Sequence, residues 1–483
     1  MALRYSVAAL LSTALLCCGI LQAGTIATDI ERALDAHAVP GADTGICVMR
    51  LSDGRTFFSR EADTLFEMAS NAKLFTTAAA LHHLGPDYEF KTSVITNGPI
   101  EDGVLRGDLV IVGGGDPCIS GRLYGGDVMH VPDAIADAVS EFGIRAIAGD
   151  LVMDDRLFDR KLRPENWPAG ESLWWYAAPV SALSFNDNCV DLVVRAKGPV
   201  GARPDVTVSP DLGYVTVRNE AEICSPRLHN TLTFKKPEER VILLSGRMKK
   251  GAVRGENITV ESPPQYLAAA IRSALEKQGI QVNGTNRLVE RGERARPEAL
   301  TIFEWRTPLV QAVRVANQRS QNFFAEQILK TMGAEAAGSG STESGLRAIW
   351  RFNREIGLRD GTVKLADGCG LAPGSEATPR SIVRLLHAMW HGPVGEVFSD
   401  SLAEGGNSAG TLRHRFNDAT ARGRIRAKTG TIKSRGVSAL SGYVEATSGD
   451  TYAFSILVNG FKSGDMHRAK SLENAICRAI LSH

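Results

Sequence analysis

The stretch Met68–Pro86, MASNAKLFTTAAALHHLGP, places a reactive pair at the head of a helix. A helical pattern over Leu65 to Leu84 runs through Met68, Leu74, Ala78 and Leu81, and Gly85-Pro86 is the punctuation expected where a helix stops. Ser70 and Lys73 stand three residues apart, hence on one face, where an amine reaches a hydroxyl. A serine hydroxyl is a poor nucleophile until a base takes its proton. Lysine serves as that base when desolvation or a nearby cation favours the neutral amine. Ser-x-x-Lys alone recurs by chance on solvated helices and carries little.

Upstream, Thr44–Leu51 reads as a strand, Ser52-Asp53-Gly54 as a turn and Thr56–Phe58 as the partner strand of a hairpin. From Phe90 to about Gly284 the texture changes to short β-rich runs, such as Asp108–Val112 and Gly149–Met153, broken by Gly, Pro and Asp. A helix over Pro264–Gln278, a strand at Ile280–Val282 and a polar, Arg-rich linker over Arg287–Arg296 close that region. Helical spacing resumes over Pro308–Met332. The chain ends with strands at Arg424–Ala427, Ser438–Ala446 and Tyr452–Asn459 and a helix over His467–Leu481; the short links between these strands favour antiparallel pairing. The simplest assembly joins the hairpin and the C-terminal strands in one sheet packed by helices, with the β-rich middle inserted between the halves.

Two further triplets complete the chemistry. Ser320-Gln321-Asn322 falls within the second helical region, and Lys428-Thr429-Gly430 follows the strand at Arg424–Ala427, where glycine leaves an edge open to close backbone approach. Each is weak alone. In the order Ser-x-x-Lys, Ser-x-Asn, Lys-Thr-Gly they form the set used by penicillin-binding proteins and class A β-lactamases. The chain resembles the D-Ala-D-Ala carboxypeptidase/endopeptidase family of low-molecular-mass class C penicillin-binding proteins, peptidase family S13. Supporting stretches are Gly113–Pro117, Ser181–Asn188, Asp367–Leu371 and Ala439–Tyr443.

The resemblance implies an α+β multidomain fold, in which a penicillin-binding/β-lactamase-like serine transpeptidase domain carries β-rich inserted domains. The long interval between Ser70 and Ser320 matches a family with two extra domains there. The implied division is a signal peptide at 1–23, a peptidase domain at 24–89 and 297–483, an inserted domain at 90–191 and 257–296, and a second at 192–256. Ser70 is the implied nucleophile and Lys73 its base. Ser320 and Asn322 are implied in proton relay and substrate-amide contact, Lys428 and Thr429 are implied to receive the substrate's terminal carboxylate, and Gly430 is implied to be substrate-binding. Backbone N–H groups of Ser70 and Thr431 face the oxyanion. Asp154 is implied to pair with the free amino group of a stem-peptide diamino acid. Partners are then peptidoglycan stem peptides, with β-lactams as covalent inhibitors and no cofactor. Departures stand at Gln318, Gln321 and Cys369, where many relatives have Lys, Asp and Ser. Another is Ala372-Pro373-Gly374-Ser375, where a Ser-Arg-x-Asn type sequence is usual.

Other readings are weaker. A non-catalytic peptidoglycan-binding scaffold does not need all three motifs intact, and a β-lactamase of class A needs a Glu-x-x-x-Asn loop that has no match here. Gly113-Gly114-Gly115-Asp116 lacks the Gly-Lys-Ser/Thr of a phosphate loop and reads as a tight turn. His387 and His391 have helical ligand spacing but no third ligand, so no metal site is expected. Trp174-Trp175-Tyr176 either lines a groove or packs a small domain.

With 483 residues the chain exceeds a single core of roughly 250 to 300. Its 55 Lys+Arg against 54 Asp+Glu give no basic footprint for nucleic acid. Met1–Arg4 and the apolar Val7–Leu21, ahead of Gln22-Ala23-Gly24, read as an export signal, placing the mature chain in the periplasm or on the outer face of the envelope. Bulky Leu16 before Cys17 argues against a lipid anchor. No later apolar run nears the roughly 20 residues needed to cross a bilayer. Of the eight cysteines, Cys47, Cys118, Cys189, Cys224, Cys369 and Cys477 lie beyond the leader. In an exported chain they permit disulfides, with Cys189–Cys224 the favoured pair.

Overall fold

A computed structural model describes residues 25–290, 292–293 and 299–483; the expected leader lies outside the described residues. The N-terminal part supplies helix α1 (Ile26–Ala36), strands β1 (Asp43–Arg50) and β2 (Thr56–Arg60) and helix α2 (Ala72–Leu84). After the inserted region come helices α3 (Leu309–Gln318), α4 (Asn322–Ala337) and α5 (Pro379–His391). Strands β3 (Ala403–Glu404), β4 (Ile425–Ile432), β5 (Val437–Glu445) and β6 (Thr451–Asn459) and helix α6 (Met466–Leu481) end the chain. Together the two ends build one antiparallel sheet in the order β2-β1-β6-β5-β4-β3.

Alternation along the strands decides what covers each face. Ile46, Val48, Leu440, Val444, Ile456 and Val458 pack with Ile30 of α1 and Leu472 and Ile476 of α6. The intervening Cys47, Met49, Ala439, Tyr443, Ala453 and Leu457 turn to the opposite face, under Phe75 and Ala78 of α2 and Leu386 of α5. Both faces are therefore dry, which is why β5 is buried from Val437 to Val444. The short β3 pairs only with Arg426 and Ala427, so among the described residues the outer edge of β4 is free from Lys428 onward.

Several boundaries differ from the sequence reading. The first helix begins at Ala72, not Leu65: Phe66–Glu67 bridges to Glu376–Ala377, and Ala69–Asn71 form a 3₁₀ turn. Ser320-Gln321-Asn322 is not inside a helix but at the break between α3 and α4, where Ser320 has φ +58. Lys428-Thr429-Gly430 lies within β4 rather than after its end, because pairing with β5 continues to Ile432. Helix α1 carried no sequence signal that was recognised.

The middle of the chain folds into other sheets. One has five strands, in the order 286–288, 151–154, 108–112, 89–97 and 300–308, with helices Pro263–Lys277 and His130–Glu141 packed beside it. The strand Leu300–Pro308 pairs with Glu89–Asn97, so the chain returns at Leu309 to the part that carries the six-stranded sheet. The segment Cys189–Thr259 forms smaller sheets. All six cysteines are free and buried; Cys189 and Cys224 sit on different sheets, which keeps the favoured pair apart.

Candidate active site

The abrupt entry to α2 aims Ser70 into solvent. Ala69 takes φ +46, and Ser70 is half-buried in the turn while Lys73, the second helical residue, is wholly enclosed. The Lys73 ammonium donates to Ser70 Oγ at 2.9 Å, to Asn322 Oδ1 at 2.7 Å and to the Cys369 carbonyl at 2.8 Å. Opposite, Lys428 donates to Ser320 Oγ at 2.7 Å and to the Thr429 carbonyl at 2.8 Å. Six of the sequence-derived residues thus converge: Ser70, Lys73, Ser320, Asn322, Lys428 and Thr429. Ser70, Ser320, Asn322, Thr429, Gly430 and Thr431 line a cleft of about 1150 Å³.

Burial holds the Lys73 amine below its ordinary value, against the pull of Asp367 and Glu326. Lys428 is driven down further, first by burial and then by the charge of Lys73. Burial thus disfavours the charged form of both amines, and the one beside Ser70 is a competent base.

The cleft wall is a loop held by a buried carboxylate. Asp367 accepts N–H groups of Gly370 at 2.6 Å, Leu371 at 3.0 Å and Ala372 at 2.7 Å, and the Trp167 indole at 2.9 Å. Gly370 has φ +80, and a Cβ there would stand 1.9 Å from the Ala69 carbonyl oxygen. Close approach of this loop to the serine turn thus demands glycine. Gly430 is also tight, since a Cβ would lie 2.8 Å from the Met68 oxygen.

Sequence reasoning missed several participants. Tyr176 accepts the Asn322 amide at its carbonyl, 2.8 Å, so the inserted region orients a motif side chain. Thr411 Oγ1 lies 2.9 Å from Thr429 Oγ1, in a loop without any periodic signature. Glu326, one helical turn past Asn322, is fully buried beside Asp367 and Cys369; burial, then Asp367, raises its carboxyl to about 8. Its i+4 spacing from Asn322 was the available signal. Trp175 and Tyr176 line the cleft, whereas Trp174 packs on Phe234.

Asp154 is not among the residues lining this cleft. Both its oxygens accept from the Arg156 guanidinium, at 2.8 and 2.6 Å, in a separate small cavity with Arg287 and Glu293. His391 donates a ring N–H to the Leu51 carbonyl at 2.9 Å, and its ring is tilted against that of His387. Gly113–Asp116 are irregular backbone leading from a strand into a turn at Pro117–Cys118 rather than the turn itself, and Asp116 accepts the Thr307 hydroxyl at 2.6 Å.

Residues 26–479 match the family described as D-Ala-D-Ala carboxypeptidase 3 (S13). The chain is 32% identical over 444 residues to a D-alanyl-D-alanine carboxypeptidase of Actinomadura sp. (strain R39), covering 89% of this chain and 80% of that one. It is 24% identical over 445 residues to D-alanyl-D-alanine carboxypeptidase DacB of Haemophilus influenzae, covering 88% and 87%. The fold matches the crystal structure of penicillin binding protein 4 from Haemophilus influenzae with a TM-score of 0.81 at 21% identity, over 94% of this chain and 99% of that one.

Proposed function

This chain belongs to the S13 family of D-Ala-D-Ala carboxypeptidases, and from that premise we propose that it is a penicillin-sensitive serine carboxypeptidase and endopeptidase of peptidoglycan stem peptides. The observation that carries the reading is the 2.9 Å contact between the enclosed Lys73 amine and Ser70 Oγ, at the open edge of β4.

Lys73 takes the Ser70 proton as Oγ attacks the carbonyl of the penultimate D-Ala. The substrate lies along the free edge of β4, its terminal carboxylate drawn to Thr429 and Lys428. Negative charge on the carbonyl oxygen meets the N–H groups of Ser70 and Thr431; loss of one such donor typically slows turnover about 100- to 1000-fold. Ser320, hydrogen-bonded to Lys428, relays a proton to the amine that leaves, and the C–N bond breaks. Asn322 holds Lys73 and offers its amide side to the substrate. Water then opens the Ser70 ester: its hydroxide adds to the acyl carbonyl, its proton passes through Lys73 to Ser70 Oγ as the C–O bond breaks, and the free serine and neutral amine are restored. The amine that departs is D-Ala in the carboxypeptidase reaction and a second stem peptide in the endopeptidase reaction. Export fits these substrates and the N-terminal sequence, and the chain's division into a peptidase part and two inserts fits its separate sheets.

The test is incubation with a fluorescent penicillin followed by intact-mass measurement. The parent gains one covalent adduct and Ser70→Ala gains none; an adduct that survives this substitution overturns Ser70 as nucleophile. A folded parent that forms no adduct favours a binding scaffold instead.

A further inference from the structure

A second cleft, of about 650 Å³, opens beside the catalytic one and shares Trp175 and Arg319 with it. Its size lies within the roughly 300 to 1000 Å³ typical of small-ligand sites. The middle residue of the Ser-x-Asn motif divides the two: Ser320 and Asn322 line the catalytic cleft, and Gln321 lines the annex.

The junction lies at the leaving-group end. Arg319 adjoins Ser320, whose hydroxyl meets Lys428. The Gln318 carbonyl accepts the Thr411 N–H at 2.9 Å, and Thr411 meets Thr429. The far lip, with Leu371, Pro373 and Lys433, belongs to the catalytic cleft alone.

The annex has a defined polarity. At the junction the exposed Arg319 guanidinium has no partner among the described residues. Deeper, Asp187 is 8% exposed and Gln321 5% exposed, and one acceptor oxygen of each, Asp187 Oδ1 and Gln321 Oε1, has no partner among the described residues. Asp187 is otherwise held by Arg122 and by the Gln321 amide at 2.9 Å. Asp191 stands further along the wall, bonded to Asn257. A ligand entering from the catalytic side thus meets a cation first and hydrogen-bond acceptors next, an order that buried polar groups reward when each finds its complement.

We propose that this annex seats the leaving strand of a cross-linked stem-peptide dimer: the carboxylate next to the scissile amide stays with Thr429 and Lys428, a carboxylate further along the leaving strand meets Arg319, and its peptide N–H and amine groups meet Asp187, Gln321 and Asp191. The inference rests on the peptidase reading above and extends it to substrate choice. A linear pentapeptide releases a single D-Ala and has nothing to place in the annex. Contacts remote from the reacting bond are gained only by the dimer, and they raise its turnover selectively.

Asn257 lies on the exposed face of the inserted region and lines the annex but not the catalytic cleft. The experiment compares full-length mature parent, Asn257→Trp, which fills the annex, and Asp191→Asn, which removes a charge. Three rates are measured: acylation by fluorescent penicillin, D-Ala release from a linear pentapeptide, and cleavage of a dimer whose D-Ala carbonyl is bonded to a side-chain amine. The expected result is dimer cleavage reduced roughly tenfold or more in both variants, with acylation and D-Ala release within about twofold of parent. Unchanged dimer cleavage in a variant that still acylates at the parental rate overturns the annex assignment, as does equal loss on both peptides. Absence of acylation in the parent overturns the peptidase reading itself.

Discussion

At the scale of single residues, the site turns on enclosed charge. The Lys73 amine is neutral above its depressed folded-state value, so acylation falls as acid protonates it; second-order acylation rates measured from pH 5 to 9 decline toward acid, and a flat profile contradicts Lys73 as base. Glu326 behaves in the opposite sense. Its carboxyl is raised to about 8 from an ordinary 4.5, so the folded state holds a proton that the unfolded chain releases. The stability this supplies is full below about pH 4.5 and is lost as pH rises through about 8. Glu326→Gln keeps an acceptor for the Gly368 N–H, 2.8 Å away, without a charge to enclose. Its Tm is expected to exceed that of the parent increasingly from pH 5 to pH 9; a gap independent of pH contradicts the buried acid. The sequence made Ser70 and Lys73 visible because three residues on a helix fix a distance. Glu326 was invisible because burial is not a property of composition.

At the scale of elements, the cleft exists where three pieces stop short of regular structure. The 3₁₀ turn before α2 lifts Ser70 out, the break between α3 and α4 turns Ser320 toward Lys428, and the outer edge of β4 has no strand partner beyond Ala427 among the described residues. Periodicity located each helix and strand but misplaced these ends, since left-handed backbone at Ala69 and Ser320 is imposed by tertiary contact and leaves no residue signature. The Asp367 loop then locks against the serine turn. Gly370→Ala forces a Cβ into the Ala69 carbonyl at a positive φ, displacing that turn. Acylation is expected to slow by roughly 100-fold, the cost of about an ångström's misplacement at a reacting centre, while the far-UV spectrum stays that of the parent. Parental acylation by this variant contradicts the tight packing of loop on turn.

At the scale of the whole molecule, the inserted region braces the site it interrupts. Trp167 reaches Asp367, Tyr176 holds Asn322, and Gln327 of α4 donates to the Ser181 carbonyl at 2.9 Å, so helix α4 is clamped from outside the peptidase part. Among the described residues the enclosed core holds no covalent staple: the six cysteines there are buried and free. Thiol titration of an unfolded chain lacking residues 1–23 is expected to count six, and reductant to leave its Tm unchanged; a lower count or a reductant-sensitive Tm contradicts the free state. Sequence by itself determined the order of the three motifs, the residues proposed as nucleophile and base, and a sheet shared by the two ends of the chain, because spacing on a helix and alternation on a strand are local rules. Only the tertiary structure decided where those motifs sit relative to helix and strand ends, that Asp154 turns to Arg156 instead of the cleft, and that Cys189 and Cys224 stay apart. It also decided that Arg319 and Gln321 open a second chamber. Each of these depends on contacts between residues far apart in the chain, and such distances are set by packing, not by neighbours in sequence.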